Sequence, residues 1–547
     1  MARDTAIRAT ANTEMIEAPI TFKAYLMCAF AAFGGIFFGF DSGYINGVLD
    51  TNYAIHTYTK KPYPPTGNSP ADVAAQNDFK FPSSQQSLIV SILSAGTFFG
   101  AVIAGDVADF IGRRLTIIVG CIIFVVGVIL QVASTTVPLL VVGRVIAGIG
   151  VGFVSAIIIL YMSEIAPKKV RGSIVAGYQL CITIGIFLAS CVTYATEHRN
   201  DSGSYRIPMG IQLLWGLILG IGLCFLPESP RYYVKKGQIQ KATQSLVALR
   251  SQPADSDYVQ NELAEIIANY EYEMSLIPTG SWFSSWAHCF SGSLWNPGSN
   301  LRRTILGTAL QMFQQWTGVN FIFYFGTQFF SDLISNPFAI QITANAVNVV
   351  GTPPALWAIE RFGRRQLLFW GACGMVVCLF IAAALGVSHA DHTPHPHSYA
   401  AAEVAFICIF IFFFASTWGP CAWVVVGEIF PLPIRSRGIG LSTASNWMWN
   451  TIIATINPYL VGTDKANLQS KIFLVFGCTC ICCAIFTYFC VPETKGLSLE
   501  QVDRMFEEST PRTSSKWKPH STFAADLGIT ADGKLDTSIV EEKGVEA

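Results

Sequence analysis

Three side-chain amides, Gln314, Gln315 and Asn320, lie inside a largely apolar and aromatic segment that begins at Gln311, residues 311–325. An uncharged amide both donates and accepts hydrogen bonds, so it can match a sugar hydroxyl, which also does both. It does so without the free-energy cost of burying a carboxylate or an ammonium group. The segment therefore predicts a binding site for a ligand rich in hydroxyl groups. The alternative is that the amides join neighbouring helices to one another.

The backbone around these amides must bend if they are to act together. On an ideal helix Gln315 and Asn320 would point about 140° apart. Gly318, which follows the β-branched Thr317, is a position where such a helix could break and swing the two side chains together. We therefore expect a break in the helix at Gly318.

The composition indicates which elements position these side chains. Apolar residues make up 52% of the 547 and charged residues 13%, and the mean hydropathy is +0.44. The charged fraction is about half that of soluble proteins, so the chain is predicted to cross a membrane several times. No pair of cysteines has a ligand-rich context for zinc, and we find no nucleophile, metal cluster or phosphate-binding loop. We therefore expect no enzyme, no metal and no cofactor, and also no nucleic acid partner, although the net charge of −1 carries no information on that point.

Twelve apolar runs of spanning length follow one another, six on each side of a long polar segment. The runs lie near 23–48, 85–108, 114–134, 138–162, 170–194, 207–226, 303–332, 340–360, 365–388, 400–428, 435–462 and 470–491. Arginine and lysine are concentrated in alternate short connections, so the positive-inside rule places these connections and both termini in the cytoplasm. The predicted parts are an N-terminal tail at 1–22, a six-helix bundle at 23–226, a cytoplasmic linker with helices at 227–302, a second six-helix bundle at 303–491 and a C-terminal tail at 492–547.

The two halves repeat three charged motifs in the same order. The motif at 109–114 is echoed at 360–365, the motif at 164–171 at 428–435, and the motif at 227–231 at 492–496. A repeat of six spans in the same orientation predicts two bundles that are related by an axis along the membrane normal. The binding site is then expected between the bundles.

These motifs resemble the major facilitator superfamily, specifically its sugar porter branch, and most closely fungal hexose transporters. The resemblance runs from about Phe22 to Phe506 and rests on GDVADFIGRR, YMSEIAPKKVRG, PESPR, QQWTGVN, ERFGRR, VVGEIFPLPIRSRG and PETKG. It implies an all-α membrane protein with twelve transmembrane helices in two six-helix bundles and a small cytoplasmic helical domain. It also implies alternating access, in which the two bundles rock around a central monosaccharide site.

The resemblance places the sugar site across both halves. Matching the motifs residue by residue gives its members as Gln179, Gln314, Gln315, Asn320, Asn348, Trp423, Asn446 and Trp447. Amides suit sugar hydroxyls, and a flat indole suits the apolar face of a pyranose ring; plain packing is the alternative for Trp423. Phe323 and Tyr324 resemble an aromatic lid on the outer side, with packing as the alternative. Gly318 is then expected to act as a hinge between the amides and this lid.

A lone carboxylate, Asp41 in GFDSGY, lies inside the first span. Such a group is costly when it is charged and unpaired, so it is a functional candidate by default. Arg144 in GRVIAGIG matches its partner in proton-coupled sugar porters. We therefore expect protonation of Asp41 to free Arg144 and to couple proton entry to sugar entry, as in a symporter. The alternatives are a permanent Asp41–Arg144 salt bridge and a hexose uniporter that works by facilitated diffusion.

Charged residues of the repeated motifs are expected to latch the two bundles together on the cytoplasmic side. These latch residues are Asp109, Arg113, Arg114, Glu164, Arg171, Glu228, Arg231, Glu360, Arg364, Arg365, Glu428, Arg435 and Glu493. Pairs that form when the inside is shut favour the outward-open state, and breaking them permits inward opening. The alternative is that the positive charges only set the topology.

The expected substrate is a hexose, glucose first, with other hexoses or xylose as additional substrates. A transporter-like glucose sensor is the rival from another class. Such sensors carry long cytoplasmic tails, whereas about 40 residues follow Phe506 here. We expect a monomer in the lipid bilayer of the plasma membrane, with a monosaccharide and a proton as its partners.

Overall fold

The computed structural model describes residues 21–65, 72, 79–276, 286–296, 298–331, 337–391, 397–461, 466 and 468–519. The helices of the first half are α1 (Phe22–Ala32), α2 (Gly34–Leu49), α3 (Asn52–Thr59), α4 (Ser83–Ile111), α5 (Arg113–Ala133), α6 (Val137–Ile165), α7 (Arg171–Thr196) and α8 (Gly203–Leu223). The linker contains α9 (Pro230–Lys235), α10 (Ile239–Arg250) and α11 (Asp257–Leu276). The second half and the tail contain α12 (Asn300–Trp316), α13 (Val319–Ser331), α14 (Pro337–Gly351), α15 (Pro353–Phe362), α16 (Arg364–Asp391), α17 (His397–Ser416), α18 (Trp418–Glu428), α19 (Arg435–Val461), α20 (Ile472–Cys490) and α21 (Leu499–Glu508).

Within the described ranges, nine helical stretches are long and apolar enough to cross a membrane. The three other apolar runs of the sequence are helical too, and each departs from a long apolar helix for a visible reason. α12 and α13 are separated at Gly318, α14 and α15 are separated at Thr352, and α19 is long but comparatively polar. All twelve predicted runs are therefore helical.

Each half packs as a bundle, and two of the contacts between the bundles join equivalent pairs of helices. In the first half α4 and α5 both pack against α6, and in the second half α17 and α20 both pack against α16. Across the halves, α4 packs against α19 and α7 packs against α14. α4 and α14 belong to the second run of their halves, and α7 and α19 are the fifth. Each contact therefore joins the second run of one half to the fifth run of the other half. This is the arrangement expected for two halves related by an axis along the membrane normal.

The linker helices have a small core of their own. Val234 of α9, Leu246 of α10 and Leu263 of α11 are buried together. An ion pair between Arg250 and Glu262, with 2.7 Å between Nη2 and Oε1, joins α10 to α11. Arg250 also donates to the carbonyl of Ile165 at 2.8 Å. The linker is therefore fixed to the end of α6.

The C-terminal tail begins with a helix that the sequence analysis did not predict. The side chain of Ser498 accepts a hydrogen bond from the backbone N–H of Gln501, and the side chain of Gln501 accepts one from the backbone N–H of Ser498. This reciprocal capping starts α21. α21 buries Val502 and Met505 on one face, so the tail is packed against the rest of the chain here.

Candidate functional site

A cavity lies between the two halves. Eight of the residues predicted for the site and its lid line it: Gln179, Gln314, Gln315, Asn320, Phe323, Tyr324, Trp423 and Asn446. Its other lining residues are Phe38, Ser42, Gly43, Ile182, Ile186, Val319, Phe414 and Asn450. Most of the amides come from the second half, whereas the first half supplies Gln179 and Ser42 among largely apolar groups.

The helix that carries the first amides breaks where the sequence predicts it. α12 ends two residues before Gly318, and α13 begins directly after it. Gly318 has φ 91°, a conformation that side chains rarely adopt, and a Cβ atom there would overlap the ring of Phe476. Because of this break, the side-chain amide of Asn320 donates a hydrogen bond to Oε1 of Gln315.

Gln315 and Asn320 belong to a larger polar cluster. Oε1 of Gln315 also accepts from Nδ2 of Asn450 at 3.0 Å. Asn450 in turn lies 3.2 Å from the hydroxyl of Tyr324 and accepts from Ser94 of the first half at 2.8 Å. These groups present several donors and acceptors to the cavity, which suits a ligand with several hydroxyl groups.

Gln314 lines the cavity, but its amide nitrogen also holds neighbouring elements in place. Its Nε2 donates to the carbonyls of Trp418 and Gly419, at 3.1 and 2.9 Å. Asn446 donates to Oε1 of Gln314 at 2.8 Å and to Gln311 at 2.7 Å. Gln314 and Asn446 thus connect α12, α18 and α19, three of the second-half helices that line the cavity.

Two residues predicted for the site, Asn348 and Trp447, do not line the cavity. Among the described residues, neither amide atom of the buried Asn348 has a hydrogen-bond partner. Trp447 donates to Ser155 at 3.3 Å and packs edge-on against Phe38, with ring centres 5.0 Å apart. Trp447 therefore supports a lining residue from behind.

Asn450 and Ser42 are polar lining residues that the sequence analysis missed, and Asn450 is the amide of the two. Asn450 lies four residues after Asn446 on α19, and side chains at that spacing share one face of a helix. The spacing could have identified it.

Asp41 and Arg144 are both buried, but they do not form an ion pair. Within the described part of the chain, neither carboxylate oxygen of Asp41 has a hydrogen-bond partner. Nε of Arg144 donates to the carbonyl of Ile89 at 2.7 Å, and its Nη1 donates to the hydroxyl of Tyr44 at 2.8 Å. The Tyr44 hydroxyl donates to Gln131 at 2.5 Å. Neutral groups therefore hold Arg144 in this conformation, while the Asp41 carboxyl is buried beside the cavity residue Ser42.

We call the end of the molecule that carries Arg113, Arg114, Arg364 and Arg365 the basic end. In the first half, the guanidinium group of Arg113 pairs with Glu164, with 3.0 Å between Nε and Oε2. The backbone N–H groups of Arg113 and Arg114 each donate to the carboxylate of Glu228, both at 3.0 Å.

The second half repeats this arrangement at the basic end. Arg364 pairs with Glu428 at 2.9 Å. The backbone N–H groups of Arg364 and Arg365 donate to the carboxylate of Glu493, at 2.9 and 3.1 Å. Burial raises the pKa of Glu493 as it raises that of Glu228, in each case against the hydrogen bonds from the backbone. The two halves therefore match in contacts as well as in sequence.

A glycine before each arginine pair makes these contacts possible. Gly112 has φ 100° and Gly363 has φ 90°, and both conformations are unfavourable for other residues. A Cβ atom at either position would overlap the carboxylate of Glu228 or Glu493. The glycine thus permits both the turn of the backbone and the close approach of the acid.

Only some of the predicted latch residues contact the opposite half or the tail. Two of them contact the opposite half: Asp109 accepts from Ser436 at 2.6 Å, and Glu360 accepts from the backbone N–H of Ser173 at 3.1 Å. Two others contact the tail: Arg171 donates to the carbonyl of Leu497 at 3.3 Å, and Arg231 pairs with Glu500 at 2.8 Å. Arg114, Arg365 and Arg435 instead donate to carbonyls of their own half, those of Leu226, Tyr488 and Phe430. The sequence analysis missed a further pair between the halves, Asp106 with Arg437 at 2.8 Å.

Glu500 of α21 was also missed by the sequence analysis, and its environment is strongly cationic. Burial opposes the charge of this carboxylate. Arg231, Arg435 and Arg171 outweigh that effect and lower the pKa of Glu500 to about 2. The acid is therefore charged at neutral pH and joins the tail to the linker helix α9.

Comparison with protein families places residues 27–506 in the family described as "Sugar (and other) transporter". The chain is 47% identical to the major facilitator-type transporter ecdD of Aspergillus rugulosus, over 94% of each protein. It is 40% identical to the high glucose sensor RGT2 of Saccharomyces cerevisiae, over 92% of this chain and 64% of the sensor. It is 35% identical to the low-affinity glucose transporter HXT1 of the same yeast, over 92% of this chain and 86% of HXT1.

Among solved structures, the chain is similar to the proton:xylose symporter XylE of E. coli bound to 6-bromo-6-deoxy-D-glucose. The TM-score is 0.72 at 23% identity, over 88% of this chain and 99% of XylE. At this identity the likeness concerns the fold. The predicted fold, with twelve transmembrane helices in two bundles and a small helical domain, is confirmed.

Proposed function

The chain belongs to the sugar transporter family, whose members are transporters rather than enzymes, and from that premise we propose that it carries monosaccharides by alternating access. Glucose is the first substrate in this proposal, because relatives named as a glucose transporter and a glucose sensor are 35% and 40% identical to the chain. Xylose and other hexoses are additional substrates. The observation that carries the proposal is the cluster of Gln315, Asn320 and Asn450 on the wall of a cavity between two bundles.

The contacts at the basic end support a closed gate on that side of the cavity. Asp109 with Ser436 and Glu360 with Ser173 connect the bundles directly. Separating the bundles at this end requires these bonds to break, and the cavity then opens there. By the positive-inside rule, the basic end and both termini are cytoplasmic, and the membrane is the plasma membrane. The protein works as a monomer, because residues of a single chain line the central cavity on both sides.

The opposite side of the cavity is covered by the aromatic residues of α13. Phe323 and Tyr324 line the cavity, and the side chain of Asn46 on α2 donates to the carbonyl of Phe323 at 3.4 Å. This bond connects the two bundles beyond the break at Gly318. In the proposal α13 moves about Gly318 when the outer side opens.

Proton coupling is the second part of the proposal, and it rests on Asp41. The carboxyl group is fully buried and has no hydrogen-bond partner among the described residues, and a buried charge without a partner is costly. Arg144 is bound to Tyr44 instead. In the proposal, the conformational change alternates Arg144 between Tyr44 and Asp41, and Asp41 takes up a proton when Arg144 leaves it. The alternative is facilitated diffusion with Asp41 in a structural role.

Uptake of labelled glucose in a host without hexose transporters tests the transport function. We expect uptake that unlabelled hexoses reduce. A glucose sensor is the competing function, favoured by the 40% identity to RGT2. A protein that reaches the cell surface but moves no labelled sugar would support the sensor and contradict the transporter.

Proton coupling is tested in the same host at two pH values and with a protonophore. We expect sugar addition to make the medium more alkaline, and we expect Asp41→Asn to abolish this signal. Accumulation that a protonophore leaves unchanged would reject coupling and favour the uniporter.

A further inference from the structure

A second cavity, which the transport proposal does not use, lies at the basic end of the second half. It is a groove between α12, α20 and α21. Its lining is mainly apolar and includes Ile305, Phe486, Cys490, Met505 and Phe506. None of these residues lines the central cavity, so the groove is separate from the sugar site.

The groove is positioned at the boundary between the membrane and water. α20 is one of the apolar spanning helices, and its last residue, Cys490, lines the groove. Beside it, Tyr488 and Phe489 expose 45% and 53% of their surface. Exposed aromatic rings at the end of a spanning helix are typical of the headgroup layer of a bilayer. The groove is therefore expected to be in contact with lipid.

Two arginines next to the groove have no acidic partner among the residues that the structure describes. Arg302 lines the groove, and its guanidinium group forms no ion pair with any residue that the structure describes. Arg512 follows the lining residue Pro511. It lies over the rings of Tyr488 and Phe489, with its Cζ atom 5.2 and 4.8 Å from the ring centres. Arg302 also lies in the first turn of α12, where the helix dipole adds partial positive charge.

The acids of α21 do not neutralise these cations. Glu508 is engaged by Arg504 at 2.8 Å and by the indole of Trp517 at 2.7 Å. Burial raises the pKa of Glu507, and the cations that oppose this rise are Arg303 and Arg504. An apolar groove at headgroup level therefore has an excess of positive charge at its edge.

We propose that this groove binds an anionic phospholipid from the leaflet at the basic end. An acyl chain fills the apolar groove, and the phosphate pairs with Arg302 while Arg512 adds to the positive field. The hydroxyl group of Thr510, which also lines the groove, can donate to the headgroup, whereas the hydroxyl of Ser509 donates to the carbonyl of Met505 at 2.7 Å. A soluble phosphate would leave the apolar lining uncovered, and a neutral lipid would leave the two cations without a counter-charge.

Native mass spectrometry of the purified full chain tests the proposal. Phosphatidylserine and phosphatidylcholine with identical acyl chains are titrated against the wild type and against Arg302→Glu. The wild type is expected to retain phosphatidylserine in preference to phosphatidylcholine. Arg302→Glu is expected to weaken phosphatidylserine binding by about tenfold or more, the size of one lost charge-assisted hydrogen bond.

Two further variants control this experiment. Lys241→Glu makes the same change of charge at an exposed position on α10 and is expected to bind phosphatidylserine like the wild type. Ile305→Trp fills the groove without changing charge and is expected to lose binding, so the proposal can be tested even if Arg302→Glu does not fold.

Four outcomes would overturn the proposal. The first is equal retention of phosphatidylserine by the wild type and Arg302→Glu. The second is equal retention of the two lipids by the wild type. The third is full competition by glycerol phosphate, which would indicate a site for free phosphate. The last is a full chain that binds no lipid, which would leave the groove to another occupant such as the segment 520–547.

Discussion

In each half an arginine at the basic end pairs with a glutamate, Arg113 with Glu164 and Arg364 with Glu428, at 3.0 and 2.9 Å. Around the cavity the halves differ, because the second half supplies most of the amides and the first half supplies Gln179 among apolar groups. The internal repeat is thus retained in the buried ion pairs of the basic end and is lost around the central cavity. Under the proposed function, this contrast separates the parts that hold the bundles from the parts that select the substrate.

The two tasks have different physical requirements. Opening and closing one end of a pair of bundles involves both bundles, so equivalent contacts in each half are suitable. A monosaccharide has no twofold symmetry, so two identical walls could not match its hydroxyl groups and its apolar face at once. The polar cluster is built at the break at Gly318, and no break at a glycine with positive φ occurs within α1 and α2 of the first half.

The largest expected effect concerns the repeated pairs. Glu164→Gln and Glu428→Gln each leave a buried arginine without its main counter-charge. Removing one partner of a buried pair costs roughly 3–5 kcal/mol, so both variants are expected to melt at a clearly lower temperature than the wild type. The two losses are expected to be of the same order, because the same residue types pair in both halves, with two bonds from Arg113 to Glu164 and one from Arg364 to Glu428. Thermal unfolding of the purified protein in detergent measures them.

An exposed pair provides the control for this experiment. Glu508→Gln removes the partner of Arg504 at the surface, where such pairs contribute about 0–1 kcal/mol. If only one of Glu164→Gln and Glu428→Gln lowered the melting temperature strongly, the two halves would not be equivalent at the basic end.

A smaller effect is expected for each amide of the cavity. Gln315→Ala and Asn320→Ala each remove hydrogen bonds that the proposal assigns to the sugar and leave partners unsatisfied, at a cost of roughly 1–3 kcal/mol, or about 5–150-fold in affinity. Sugar uptake is expected to fall to background while the protein still reaches the surface. Labelled uptake together with surface staining checks this.

Asn348→Ala is the matched comparison for the amides. Asn348 is a buried amide of the second half that lies outside the cavity, so its removal is expected to leave the affinity for sugar unchanged. Normal uptake by both Gln315→Ala and Asn320→Ala would contradict the site. If Asn348→Ala lost as much affinity for sugar as Gln315→Ala and Asn320→Ala, a position on the cavity wall would not be what makes an amide important for binding.

Glu500, which joins the tail to the linker, is expected to make the stability of the protein depend on pH. Because surrounding arginines lower its pKa to about 2, its charge stabilises the fold above about pH 4.5, the range of an ordinary glutamate. This contribution is lost as the pH falls toward 2. The melting temperature of the wild type is therefore expected to fall over this range more steeply than that of Glu500→Gln. Identical pH profiles would remove Glu500 from the contacts that hold the basic end.

Several features of the fold and the site could be predicted because their signals are local. Gly318, next to Thr317 and between polar amides, indicated a helix break that the structure contains. The capping box at Ser498 and Gln501 is equally local, and its pattern could have predicted α21. Asn450 could have been found from its spacing to Asn446.

The sequence by itself determined that this chain is a bundle of membrane helices with a duplicated set of charged motifs, because hydropathy and motif spacing act within a helix or a loop. The tertiary structure decided which side chains meet. It places Asn450 in the cavity and Trp447 behind it, and it leaves Asp41 apart from Arg144. These outcomes depend on the rotation of each helix about its axis and on contacts between residues far apart in the chain, and neither is specified by any local stretch of sequence.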